Sequence, residues 1–117
     1  MLRIQQQLPD RYTTATPDEL ASRIKAAKAS LGDRVFILGH HYQRDDVIAF
    51  ADVTGDSFLL ARRGAAATEA ELIVFLGVYF MAEAADVLRA PHQTVVLPDL
   101  GAGCHLAAIA LYVVPLM

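Results

Sequence analysis

Residues 34–43 read RVFILGHHYQ, an apolar run that stops at a glycine and continues into polar and aromatic side chains. The bulky and β-branched residues at 34–38 are bounded by Gly32 and Gly39, which is typical of a strand buried on both faces. Strands of this kind occur in parallel sheets that are covered by helices. The segment therefore predicts a buried strand, followed by a polar loop at residues 39–43.

The segment before this strand predicts a helix. Thr16 is a suitable N-cap, Pro17 suits the first helical position, and Glu19 follows three residues after the cap, as in a capping box. Apolar residues recur at helical spacing as far as Leu31, and Gly32 is a suitable helix stop.

Helices and strands alternate in the segments that follow. We expect helices at 45–53, 57–67 and 81–88, strands at 71–76 and 94–97, and a glycine-rich turn at 101–103 that leads into a last helix. Strands that alternate with helices of this length predict an α/β fold, here a three-layer α/β/α domain with a short parallel sheet.

The unusual residues follow the strands at the same relative position. The three predicted strands are followed directly by residues 39–43, 77–83 and 98–104. Ligands of parallel sheets bind beyond the carboxyl ends of the strands. We therefore expect a binding site at that edge of the sheet.

Composition excludes several classes of protein. The chain has 117 residues, of which 55% are hydrophobic, and it carries ten basic against thirteen acidic residues for a net charge of −3. This excludes a disordered chain and a strongly basic nucleic-acid binder. One cysteine excludes a disulfide framework, and also a complete metal site built from the chain's cysteines alone.

The termini bear on localisation. The longest apolar stretch is residues 106–117, shorter than the roughly 20 residues of a membrane-spanning helix. The first ten residues lack the apolar region of a signal peptide. We therefore expect no membrane insertion and a cytoplasmic location.

His40, His41 and Tyr42 follow the first strand and allow two interpretations. One histidine faces a cleft and binds an anion or shuttles protons, with Tyr42 as a donor. Alternatively, they are a hydrogen-bonded loop histidine and a packed tyrosine. Adjacent side chains diverge in an extended loop, so we expect no two-histidine metal site here.

Two further positions are equally open. Gly55, Asp56 and Ser57 at a helix start could bind an anion through backbone N–H groups and the hydroxyl, or Asp56 or Ser57 could simply cap the helix. Cys104, at a glycine-rich turn before a helix, could be a nucleophile, a metal ligand, or a small buried apolar residue.

Taken together, the motifs resemble the N-terminal third of quinolinate synthase. The similarity runs in order and with similar spacing over residues 34–107. Its elements are Ile37-Leu38-Gly39-His40-His41-Tyr42-Gln43, Ala51-Asp52, Gly55-Asp56-Ser57, Leu60-Ala61-Arg62, Ile73-Val74-Phe75, Gly77-Val78, Phe80-Met81-Ala82-Glu83, Leu97-Pro98-Asp99 and Ala102-Gly103-Cys104.

The resemblance implies a fold and a reaction. Quinolinate synthases have three similar α/β domains around a central cavity, and they condense iminoaspartate with dihydroxyacetone phosphate to quinolinate in de novo NAD biosynthesis. A [4Fe–4S] cluster, held by one cysteine from each domain, is a Lewis acid in that cavity. The chain would thus be the first domain of an iron–sulfur-dependent transferase.

The resemblance also implies roles for four residues. Cys104 matches the cluster ligand of the first domain. His40 and Ser57 match residues that bind the carboxylates of iminoaspartate or of the product. Tyr42 matches a tyrosine that transfers protons.

Two histidines and the C-terminal segment depart from the family pattern. His41 stands where an aromatic residue or Asn is frequent, and His105 where Ser is common. We expect a loose N-terminus at 1–15, the family-like domain at 16–107, and a divergent apolar tail at 108–117 that favours self-association.

We interpret the chain as a truncated or frame-shifted product, inactive alone. The alternatives are a non-catalytic dicarboxylate-binding remnant and one part of a split enzyme.

Overall fold

The first predicted strand lies at the centre of a four-stranded parallel sheet in a computed structural model that describes residues 9–98. The strands are β1 (Val35–His40), β2 (Val53–Gly55), β3 (Leu72–Leu76) and β4 (Thr94–Val96). The helices are α1 (Asp10–Thr13), α2 (Pro17–Leu31), α3 (Asp45–Ile48), α4 (Ser57–Ala66) and α5 (Tyr79–Leu88), with a 3₁₀ turn at Gly32–Arg34.

The sheet has the order β2-β1-β3-β4. β1 pairs with β2 on one side, where His40 is level with Gly55, and with β3 on the other, where Gly39 is level with Leu76. β4 extends the sheet beyond β3 in the same direction. The predicted α/β fold with a parallel sheet is confirmed.

The capping box at the start of α2 is confirmed. The Thr16 hydroxyl accepts a hydrogen bond from the N–H of Glu19 at 3.2 Å, and the Glu19 carboxylate accepts one from the N–H of Thr16 at 2.9 Å. These two bonds satisfy N–H groups that the first turn of a helix otherwise leaves without partners. α2 ends at Leu31 and is capped by Gly32, whose φ of 55° lies in the region that favours glycine.

The hydrophobic core lies between one face of the sheet and the helices α4 and α5. Side chains alternate along a strand, so Leu38 of β1 shares this face with Ile73 and Phe75 of β3. All three are at most 1% exposed. They pack against Leu60 of α4 and Ala82 of α5, which lie on the apolar faces of these helices.

The opposite face of the sheet is covered more loosely by α2 and α3. A cavity of about 620 Å³ separates these helices from the sheet. Its lining is mostly apolar, with Ile24 of α2, Phe50 after α3, and Ile37 and Val74 of the sheet. Helices thus lie on both faces, as the three-layer prediction requires.

β2 is an addition that the sequence did not predict. Residues 45–53 were expected to be helical, but α3 ends at Ile48, and the chain then pairs with β1 from Val53 onward. α3 is short because the connection between two neighbouring parallel strands has to return to the sheet. Val53 and Thr54, both β-branched and followed by a glycine, are the sequence signal for this strand.

Asp52 connects β1, the entry to β2 and α2. Its carboxylate accepts hydrogen bonds from the N–H of Ile37 at 2.8 Å and from the ammonium group of Lys28 at 2.9 Å. The Lys28 ammonium also donates to the carbonyl of Phe50 at 2.8 Å. The side chains of Lys28 and Asp52 are 29% and 31% exposed, so solvent screens the ion pair in part.

We expect Asp52→Asn to lower the free energy of unfolding by about 1–3 kcal/mol. The amide has one accepting oxygen, so either the N–H of Ile37 or the ammonium group of Lys28 would face the NH₂ group and lose its acceptor. Lys28→Met, which keeps the apolar stem, should cost less than about 1 kcal/mol. Urea denaturation measures both. Equal losses in the two variants would contradict this role of Asp52.

Candidate functional site

The carboxyl ends of β1 and β2 bring two of the predicted site residues to one edge of the sheet. His40 is the last residue of β1 and is level with Gly55, the last residue of β2. Neighbouring strands are about 4.8 Å apart, and Ser57 follows Gly55 by two residues. This edge is where ligands of parallel sheets bind.

His40 belongs to the strand and not to the loop in which the sequence analysis placed it. Its side chain is 4% exposed and lies on the α4/α5 face of the sheet, the face of Leu38. Gly77, just after β3, adjoins it, since a Cβ atom added there would lie 3.6 Å from the Cβ of His40. The strand extends to His40 because β2 supplies a partner at that position.

His41 and Tyr42 form a ring cluster with His40. The two imidazole rings stack with their centroids 4.4 Å apart, and the Tyr42 ring lies 4.5 Å from each. The expectation that adjacent histidines diverge is therefore wrong. The chain turns directly after β1, where the N–H of Gln43 donates to the carbonyl of His40 at 3.0 Å, and the turn brings the rings together.

The hydrogen bonds of His40 define its tautomer. The backbone N–H of Tyr42 donates to Nδ1 of His40 at 3.3 Å. Since a backbone N–H can only donate, Nδ1 is the acceptor, and the neutral ring carries its proton on Nε2. His40 can therefore donate one hydrogen bond from Nε2 while remaining uncharged.

The surroundings of His40 favour this neutral form. Burial lowers the pKa of His40, and the positive charge that His41 can carry lowers it further, while the Asp56 carboxylate acts in the opposite direction. Tyr42 is 78% exposed, so its hydroxyl is accessible from solvent.

The choice between Asp56 and Ser57 as the cap of α4 is settled in favour of Asp56. Its carboxylate accepts a hydrogen bond from the N–H of Leu59 at 2.8 Å. Ser57 is the first residue of the helix and is half-buried. Its position at the positive end of a ten-residue helix suits an anionic ligand.

The other predicted site features are not described by the structure. Cys104, His105, the turn at 101–103 and the tail at 108–117 lie outside residues 9–98. Within those residues, no group of three or more His, Cys, Asp and Glu side chains could hold a metal ion. In the same part of the chain, no helix is long and apolar enough to cross a membrane.

The large cavity between α2 and the sheet is a different feature from this edge. Asp18 and Asp46 are the charged residues of its otherwise apolar lining. Such a lining offers no cationic group to a carboxylate. The candidate site is therefore the ring cluster together with the start of α4.

Sequence reasoning missed two parts of this site. The stacking of the rings and the carbonyl of Gly55, which accepts hydrogen bonds from His41, depend on the pairing of β1 with β2. The sequence contains a signal for the strand β2, but it contains none for the stacking of the two histidine rings.

A family model described as quinolinate synthetase A protein matches residues 22–112 of the chain. Among relatives named quinolinate synthase, the chain is 63% identical over 102 residues to that of Nocardioides sp. (strain ATCC BAA-499 / JS614) and 61% identical over 102 residues to that of Streptomyces coelicolor. It is 57% identical over 103 residues to that of Geobacillus thermodenitrificans.

These alignments cover most of the chain but a small part of each relative. They include 87%, 87% and 88% of the chain, and 26%, 26% and 28% of the respective relatives. The chain thus spans about a quarter of the length of the relatives it matches.

The buried His40 predicts a pH dependence of stability. Below about pH 6.5 an unfolded chain protonates this histidine, whereas the folded chain, in which its pKa is lowered, does not. The free energy of unfolding should therefore fall as the pH drops from about 6.5 through the lowered pKa. His40→Asn, which keeps an acceptor for the N–H of Tyr42, should weaken this fall.

Urea denaturation of both proteins between about pH 7.5 and pH 5 measures the difference. Parallel pH profiles for the wild type and His40→Asn would contradict a buried, neutral His40.

Proposed function

The chain belongs to the quinolinate synthetase A family, and on that premise we propose that it forms the first α/β unit of a quinolinate synthase. That enzyme would condense iminoaspartate with dihydroxyacetone phosphate to give quinolinate for NAD biosynthesis. Because the chain spans about a quarter of its relatives, we assign to it one part of the substrate site.

The observation that carries this proposal is the pairing of His40 with Gly55 across β1 and β2. It supports a site in which the Nε2–H of His40 donates to a substrate carboxylate. Ser57, at the start of α4 in the same region, would bind a carboxylate through its hydroxyl and through backbone N–H groups. Two donor positions, one at the end of β1 and one at the start of α4, suit a dicarboxylate such as iminoaspartate or quinolinate.

Neutrality of His40 is an advantage for such a site. A neutral imidazole donates a hydrogen bond without the cost of keeping a charge buried when the ligand is absent. The lowered pKa of His40 supports this role, because the ring then stays neutral at physiological pH.

We propose Tyr42 as the proton-transfer residue. Its ring contacts both histidines, and its exposed side chain leaves the hydroxyl accessible to a bound substrate. Condensation and ring closure both require proton transfers, for which a positioned phenol is a suitable acid or base.

A [4Fe–4S] cluster is the proposed cofactor, with Cys104 as one ligand. The described residues offer no set of ligands for a cluster, and the sequence contains one cysteine. One thiolate does not fit the three protein ligands that the proposed cluster requires. We therefore derive no reaction step through the cluster from this chain, and place the other ligands in protein outside these 117 residues.

Anaerobic incubation of the chain with iron and sulfide tests this division of ligands. We expect no stable, stoichiometric cluster by visible absorption and no quinolinate formation, because a single thiolate cannot retain a four-iron cluster. A stable cluster on the chain, or turnover, would refute the division.

Binding of quinolinate tests the dicarboxylate site directly. We expect His40→Ala and Ser57→Ala each to weaken quinolinate binding by about tenfold or more, since each removes a hydrogen bond to a charged group. Titration calorimetry of the chain measures the affinities.

Two exposed residues at other places in the fold provide matched controls. His92→Ala changes a histidine just before β4, and Ser30→Ala changes a serine of α2. Both should keep the wild-type affinity. Equal losses in the control variants, or no binding of quinolinate by the wild-type chain, would contradict the proposed site. Binding without turnover is the result that we expect of the isolated chain.

A further inference from the structure

His41 makes two hydrogen bonds to the same acceptor. Its backbone N–H donates to the carbonyl oxygen of Gly55 at 3.2 Å, and its ring Nδ1 lies 3.1 Å from that oxygen. A carbonyl oxygen can only accept, so Nδ1 of His41 carries a proton. The side chain thus repeats the contact that its backbone makes.

This double contact fixes the start of the loop after β1 to the end of β2. Gly55 directly precedes Asp56, the cap of α4, and Ser57, its first residue. A shift of the loop would break both bonds to Gly55 at once. His41 therefore holds the loop in a fixed place relative to the start of α4.

The position of the loop determines the state of His40. Tyr42 can donate its N–H to Nδ1 of His40 because the turn is tight, with the N–H of Gln43 on the carbonyl of His40. If the turn opened, Nδ1 would lose this donor and the proton could move to either nitrogen. The His41 ring is stacked on His40 with 27° between the ring planes.

We propose that His41 is a positioning residue that holds His40 in the tautomer with its proton on Nε2. It acts through the hydrogen bond from its ring Nδ1 to the carbonyl oxygen of Gly55. The consequence for carboxylate binding rests on the proposed function, whereas the consequence for the tautomer does not. Without this restraint, only the fraction of molecules with the correct tautomer would bind a carboxylate, and the apparent affinity would fall by that fraction.

Two substitutions separate the bond from the ring. His41→Phe keeps an aromatic ring but removes Nδ1–H. His41→Asn removes the ring but keeps an amide N–H near the position of Nδ1. His92→Phe makes the same change as the first variant at an exposed histidine before β4.

Long-range ¹H–¹⁵N spectra at about pH 8, where histidine is neutral, report the tautomer of each ring without any ligand. In the wild type we expect the proton on Nε2 of His40 and on Nδ1 of His41. His41→Phe should give a mixture of tautomers at His40, whereas His41→Asn and His92→Phe should keep the wild-type form.

Quinolinate affinity is the second measurement. We expect about a twofold loss in His41→Phe, as for a competent fraction of about one half, and the wild-type affinity in His41→Asn. A wild-type tautomer in His41→Phe, or a tautomer mixture in His41→Asn, would overturn the proposal. If the wild type does not bind quinolinate, the proposed function fails, and the tautomers still decide the role of His41.

The wild-type spectrum can overturn the proposal without any variant. A proton on Nδ1 of His40, or on Nε2 of His41, would contradict the hydrogen bonds on which it rests.

Discussion

Parallel pairing on both sides of β1 is the constraint from which the rest of the structure follows. β2 places His40 level with Gly55, and β3 places Gly39 level with Leu76. A slip of one residue would turn Leu38, which is fully buried against α4 and α5, to the other face of the sheet. The burial of Leu38 thus fixes the register, and the register brings His40 to the same edge as the start of α4.

The architecture could be predicted where its signals are local. The capping box of α2 lies within four residues, and the buried runs of β1 and β3 are continuous apolar segments. β2 was missed because a three-residue strand is too short to show a period, and its pairing with β1 involves residues fifteen positions away. The same pairing explains why the strand β1 is longer than predicted and includes His40.

For the candidate site, the sequence indicated the residues but not their geometry. The sequence identified His40, Tyr42 and Ser57 through their places after strands and at a helix start, and the resemblance supplied their proposed roles. The stacking of the histidines and their opposite tautomers depend on a tight turn and on one carbonyl of a neighbouring strand. No pattern within the loop itself encodes that contact, so it could not be read from the sequence.

Chemical-shift mapping of the isotope-labelled chain with quinolinate tests most directly whether this edge of the sheet binds a dicarboxylate. We expect the amide signals of His40, Tyr42 and Ser57 to move together along one saturation curve. Those of Gly32 and Glu69, which lie near the amino ends of β1 and β3, should stay in place. Shifts confined to the apolar cavity under α2, or no saturable shifts, would contradict a dicarboxylate site at the carboxyl edge.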